Sequence, residues 1–340
     1  MGRKGRRRWS RRGSASALAV AALLVGAGPA PAQVSIRMGY IPVESHAAEY
    51  VAQEKGYYRA QGLTTELVRL PSGAAILTQV STGDLQVGGG ALGAAGFNAI
   101  HGKLPVAFVA PMHYSFSEDY FMVRKVDFLA GRIKTVADLK GKPCAVNAKG
   151  VATEWMLEKV LRRYGGIGIE DVDLKALPFP EQVAALENGA ISCGIVSEPF
   201  ATLAEEKGVA TRPFQAPVAK PDPITMVFWN TDWAKKNEAA ARGFMTAYLR
   251  AVRDLSEPGA YQQPAHMEMI AKYTGVTPAV LAKTRRPYFN ANLELDEKVM
   301  MDQQEFNLRR GYLKYTTAKP IKELVDLSVA EVVVRQMGRK

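Results

Sequence analysis

Three short loops hold the residues best suited to chemistry: Pro42-Val43-Glu44-Ser45, Pro71-Ser72-Gly73 and Gly88-Gly89-Gly90. Each follows a short apolar run and precedes a helical pattern. Glu44 suits a ligand carrying an amine or amidine-like ring, or it faces water or caps the helix at His46. His46 can offer a hydrogen bond to a ligand or sit at the surface. Ser72 is a good helix N-cap, and Gly89 and Gly90 let backbone approach a small ligand. Gly88-x-Gly90-x-x-Gly93 also satisfies the G-x-G-x-x-G pattern of dinucleotide loops, which raises an exported nucleotide-cofactor oxidoreductase as the rival reading. The acidic residue that pattern expects about 20 positions further on is not at a clear strand end, since Glu118 and Asp119 come only after Pro111 and His113. There is no G-x-S-x-G elbow, H-E-x-x-H pair or P-loop. Four histidines in 340 residues give a His-rich metal site little to build on. The favoured reading is a binding protein, not an enzyme, with no cofactor and no metal.

The elements that must position these loops read as strands at 35–41, 66–70, 84–87 and 106–110, alternating with helices at 46–55, 73–82 and 91–100. That alternation implies βαβ units and a largely parallel sheet. Ligands in such sheets sit at the carboxyl ends of the strands, so the three loops should line one crevice. A second α/β set follows, with strands at 120–124, 143–147, 172–177 and 191–197. Its helices are a turn capped by Thr135, an amphipathic stretch at 151–164, one opened by Pro180 and one opened by Pro199. A proline-rich stretch at 213–223 leads to a strand at 225–229, and everything after Thr231 reads as helix, including 238–256. Helices alone cannot extend a sheet, so 33–116 and 225–340 form one lobe and 117–224 an inserted second lobe. The chain would cross between them near 111–118 and 217–224, and two crossings make a hinge that can close on a ligand. His113 sits at the first crossing, in His113-Tyr114-Ser115-Phe116, where an aromatic wall for a ring ligand or plain hinge packing would form.

The bulk numbers exclude some classes. The net charge of +11 is concentrated at the N-terminus, where residues 1–32 carry seven Lys and Arg and no acidic residue, leaving 37 basic against 33 acidic groups. That is an ordinary solvated surface and not a nucleic-acid footprint. Residues 1–32 read as an export signal, with a basic start, a small apolar run at 15–27, and Ala30-Pro31-Ala32 as the cleavage site. The apolar run is shorter than the ~20 residues a membrane span needs. Ser10-Arg11-Arg12 echoes the twin-arginine motif without the apolar residues after it, so general secretory and twin-arginine export both stay open. Cys144 and Cys193 fall in predicted strands of the second lobe. They are either two buried thiols or, in an oxidising compartment, a disulfide.

Several stretches together resemble a known family. They are Gly39-Tyr40-Ile41-Pro42, then Ala52-Gln53-Glu54-Lys55-Gly56-Tyr57-Tyr58 with Gln61-Gly62-Leu63, Ser72-Gly73 and Gly83-Asp84-Leu85-Gln86-Val87. Further on come Val136-Ala137-Asp138-Leu139-Lys140-Gly141-Lys142, Ala185-Leu186-Glu187-Asn188-Gly189 and Ser197-Glu198-Pro199. Over residues 35–230 their order and spacing resemble periplasmic substrate-binding proteins of ABC importers, in the nitrate/sulfonate/taurine group that also includes binders of thiamine pyrimidine precursors. The resemblance implies a type II periplasmic binding fold: two α/β lobes, each a mostly parallel sheet flanked by helices, with a ligand cleft between them. It also implies a monomer that delivers a small-molecule ligand to ABC permease subunits. Carried over residue by residue, the ligand-binding positions are Glu44, Ser45, His46, Ser72, Gly73, Gly89, Gly90, Asn147, Lys149, Gly150, Thr153, Ser197, Glu198 and Pro199, to which the hinge adds His113. The Asn147-Ala148-Lys149-Gly150 loop opens onto a helix start whose free N–H groups favour an anionic oxygen, with Lys149 adding charge. An anion there suits a nitrate, sulfonate or carboxylate, whereas Glu44 suits a pyrimidine-like amine. The sequence leaves both ligands open. The same family shape includes pyrimidine synthases that depend on a cysteine-rich iron motif, and this chain has nothing like it.

Overall fold

In the computed structural model, residues 33–214, 221–285 and 287–340 are described. The export signal expected at 1–32 and the 217–220 part of the expected second crossing lie outside them. Residues 33–340 form one compact unit built on two five-stranded sheets.

The strands are β1 (Val34–Tyr40), β2 (Leu63–Arg69), β3 (Val87–Ala91), β4 (Val106–Pro111), β5 (Tyr114–Ser115), β6 (Phe121–Arg124), β7 (Pro143–Val146), β8 (Asp173–Ala176), β9 (Cys193–Ile195), β10 (Ala210–Thr211), β11 (Asp222–Pro223) and β12 (Thr225–Asn230). The first sheet has the order β2-β1-β3-β12-β4 and the second β10-β6-β9-β7-β8. In the first, β2, β1 and β3 are parallel, while β12 runs antiparallel between β3 and β4. In the second, β8, β7 and β9 are parallel, and β6 and β10 complete it antiparallel. Both sheets are therefore mixed but parallel-rich. Between them, β5 and β11 pair antiparallel, Ser115 with Asp222 and Tyr114 with Pro223. The two crossings are thus hydrogen-bonded to each other.

Local signals read from the sequence do their expected work. Ser72 caps the helix Gly73–Thr82, its Oγ accepting from Ala75 N at 3.2 Å, and Gly83 ends that helix in the left-handed conformation. Thr135 and Asp138 form a capping box on the turn Val136–Leu139. The 19-residue helix Glu238–Ser256 buries Phe244, Tyr248, Leu249 and Val252 in the first core. Cys144 and Cys193 stand opposite each other on β7 and β9 and are joined as a disulfide, with a Cα–Cα distance of 4.6 Å.

The expected strand at 84–87 is displaced. Gly88-Gly89-Gly90 is the middle of β3 and not a loop. Both faces of that strand are pressed too closely for side chains. A Cβ on Gly88 would lie 2.2 Å from Ile76 Cγ2, one on Gly89 2.6 Å from Met112, and one on Gly90 2.6 Å from Gly73 Cα. Glycine here makes room for packing, not for a turn. No described helix is long and apolar enough to cross a membrane.

Candidate functional site

The two sheets present the carboxyl ends of their parallel strands to one another, and a cleft in two parts lies there. The inner part is a chamber of about 30 Å³, room for roughly two or three water-sized groups. Ile41, Val43 and Ser45 reach it from the segment after β1, and Ala91 from the end of β3. His113, Ile224 and Thr225 come from the crossings, and Tyr120, Asn147, Ala152, Thr153, Phe179 and Ser197 from the second sheet and its helix starts. The outer part is a vestibule of about 310 Å³ lined by Pro42, Arg69, Leu70, Pro71, Pro178, Pro180 and Glu181. Ile41 and Phe179 line both parts, one side chain from each sheet's end of the cleft.

A buried chain of hydrogen bonds along the chamber ties Tyr120 of the second lobe to first-lobe residues on either side. Thr225 Oγ1 lies 2.7 Å from His113 Nδ1, and His113 Nε2 lies 2.9 Å from the Tyr120 hydroxyl. Tyr120 in turn donates to Glu44 Oε1. Since Tyr120 commits its single proton to Glu44, the His113 Nε2–H must donate to Tyr120 and Nδ1 must accept from Thr225. Burial, reinforced by the neighbouring His46, holds His113 down to about 3, so its imidazole is neutral. Burial, and then the negative charge of Glu198, push the Glu44 carboxyl well above the usual range, against the pull of Tyr120 and Arg212. Glu44 Oε2 is buried and has no hydrogen-bond partner. On the far wall, Thr153 Oγ1 donates to Asn147 Oδ1 at 2.7 Å, leaving the amide N–H groups of Asn147 as the donors it can offer.

The lobes also meet through their backbones. Ala94 N donates to Gly150 O at 2.7 Å, Ala152 N to Leu92 O at 2.8 Å and Glu44 N to Glu198 O at 3.1 Å. These bonds flank the chamber, and Gly93 pairs with Val151 as an isolated antiparallel bridge. Gly150 adopts φ +73, and its N–H donates to Glu154 Oε2 at 2.6 Å. The loop thus presents its carbonyl to the first lobe.

Of the residues singled out from the sequence, Ser45, His113, Asn147, Thr153 and Ser197 come together on the chamber wall, with Glu44 one hydrogen bond behind it. The others are engaged elsewhere. Ser72 caps its helix, and Gly73 packs against Gly90. His46 is buried in the first lobe, its Nδ1 3.4 Å from Glu49 Oε1 and its ring against Gly89. Lys149 is exposed. Glu198 is wholly buried in an ion pair with Arg212, Oε1 to Nη1 2.7 Å, and also accepts from Thr202 N and Oγ1. The Glu198-Pro199 bond is cis and precedes the helix Phe200–Glu206. The dinucleotide pattern is filled by protein. Gly88 and Gly90 are inside β3, and Gly93 faces Gly150 O, where an added Cβ would be 2.3 Å away. Tyr120, Phe179 and Thr225 are chamber residues outside the set the sequence singles out. The available signal was position, because Tyr120 and Thr225 each stand where the chain leaves a crossing and Phe179 opens a helix.

A family model described as the NMT1-like family matches residues 29–271. The chain belongs to the NMT1-like family. The nitrate/nitrite binding protein NrtA of Synechococcus elongatus is 27% identical over 246 residues, covering 66% of this chain and 55% of that protein. This chain spans about half the length of the curated relatives it matches. Among solved structures, the nitrate-binding protein NrtA from Synechocystis PCC 6803 superposes with a TM-score of 0.71 at 17% identity, covering 92% of this chain and 91% of that one. The alkanesulfonate-binding protein SsuA from Xanthomonas axonopodis pv. citri, bound to MOPS, gives 0.67 at 19% identity, covering 85% and 97%. The desulfurization enzyme DSZB shares the architecture as well, at 0.62 and 14% identity over 90% of this chain and 100% of that one. The fold is that of the two-lobed periplasmic binding proteins, and the same architecture also carries an enzyme.

Proposed function

We propose that this chain is the extracytoplasmic solute-binding component of an ABC importer, capturing a small polar solute between its lobes and handing it to a membrane permease. The observation that carries this reading is the inner chamber, lined by hydroxyl, amide and imidazole groups from both lobes and from the hinge. A solute touching both lobes favours the apposed arrangement over any open one by its differential affinity, and a partner can read that change of shape. Residues 1–32 are read as a signal removed after Ala32, placing the mature monomer in the periplasm. The lobes comprise 33–116 with 225–340, and 117–224. The contacts proposed for the solute are Ser45, His113, Tyr120, Asn147, Thr153, Ser197 and Thr225. No bond is broken in this scheme, and no chamber residue is assigned to catalysis.

The test is a thermal-shift screen of small anions, amides and heteroaromatic amines. A solute at about 100 times its dissociation constant should stabilise by ~2.7 kcal/mol, and Asn147→Leu should abolish that response while the variant still unfolds in one cooperative transition. A nicotinamide or flavin absorbance that co-purifies with the protein would overturn the reading.

A further inference from the structure

Resting on the solute-binding reading, we infer that the inner chamber selects a small uncharged solute with an amide-like donor and acceptor pair, in preference to nitrate or a sulfonate. Among the described residues, no lysine or arginine lines the chamber. Lys149, the cation that the loop sequence offered, is exposed. Arg212 is buried but committed to Glu198, Glu205, Thr202 and the carbonyl of Asp119. A buried anion without a paired cation is strongly disfavoured.

The polarity of the walls supplies the positive half of the argument. Along the hinge side, the hydroxyl protons of Thr225 and Tyr120 are spent within the chain that runs through His113 to Glu44. The Tyr120 oxygen is filled by donors from His113 and Ser115, and what Thr225 Oγ1 offers a solute is its remaining lone pair. Behind them stands the carboxyl of Glu44, whose Oε2 is buried without a partner. That side therefore asks for a hydrogen-bond donor. The opposite wall carries the spare N–H groups of Asn147, which suit a carbonyl oxygen. A carboxamide has both groups on one planar unit of a few heavy atoms, in keeping with a chamber of about 30 Å³.

Acetamide and acetate test this, because they share shape and size and differ in charge and donors. Each is titrated into the full chain by ¹H–¹⁵N spectroscopy, reading the Ser45 and Thr153 amides, with nitrate and methanesulfonate run alongside. Acetamide should bind at least about tenfold more tightly than any of the three anions. Thr225→Val should weaken acetamide while leaving the rest of the spectrum in place. Acetate, nitrate or methanesulfonate binding as tightly as acetamide would overturn the charge assignment and leave solute capture standing. Silence of both amides towards all four probes at tens of millimolar would overturn the proposal itself. Shifts that persist in Asn147→Leu would place binding outside the chamber and overturn the reading on which the proposal rests.

Discussion

Gly93→Ala should leave each lobe intact and hold the two apart. Gly93 has φ 173 and ψ −178, an extended backbone open to any residue, so alanine brings no local strain. Its new Cβ would nevertheless stand 2.3 Å from Gly150 O and 2.8 Å from Val151 Cα, both backbone atoms of the second lobe. The simplest relief is separation there, which breaks the 2.7 Å Ala94–Gly150 and 2.8 Å Ala152–Leu92 hydrogen bonds. At about 0.5–1.5 kcal/mol net for each, the apposed arrangement loses about 1–3 kcal/mol. Affinity for a solute that requires it falls roughly 5- to 150-fold. Small-angle scattering of the variant should give a larger radius of gyration than the parent, and calorimetric titration with the best solute of the thermal-shift screen should show the weakened binding. Scattering and affinity both indistinguishable from the parent would refute the reasoning, as would a variant that unfolds without solute at a clearly lower temperature.

Other consequences follow from the buried polar groups and the disulfide. Arg212→Met leaves Glu198 charged and uncompensated in a site where both side chains are at most 1% exposed, and should cost about 3–5 kcal/mol in urea unfolding. His113 titrates near 6.5 when unfolded and near 3 in the fold. The unfolded chain therefore binds the extra proton between those values, and stability falls as pH drops through that window by about 1.4 kcal/mol per unit. His113→Gln should flatten that slope, which unfolding midpoints across the window would register. Reducing the Cys144–Cys193 bridge, which closes a 49-residue separation, should lower stability by about 2–4 kcal/mol under otherwise identical conditions.

The architecture was legible where local chemistry decides it. Ser72, Thr135, Gly83 and Gly189 cap or end the helices they were expected to, and the amphipathic pattern fixes the 238–256 helix. What was illegible depends on distant partners. Three consecutive glycines look like a loop, and only Ile76, Met112 and Gly73 closing on them make a strand of them. Likewise, nothing near Thr225 reveals that β12 enters the first sheet between β3 and β4. At the site, Ser45, Asn147, Thr153 and Ser197 were findable as loop positions after strands. His46 and Glu198 look equally polar on paper, yet each is turned to a buried partner, Glu49 and Arg212. Lys149 follows the same logic in reverse, because the left-handed turn at Gly150 gives the loop's carbonyl to the other lobe.

The central claim is that a solute held by both lobes draws them together. Spin labels at Arg69→Cys and Glu181→Cys, exposed residues on opposite rims of the vestibule, report that separation by pulsed electron resonance, and the native cysteines are already paired. Adding acetamide should narrow the distance distribution to a single short one, at concentrations where nitrate and methanesulfonate leave it unchanged. A distribution that none of the three changes would contradict the account.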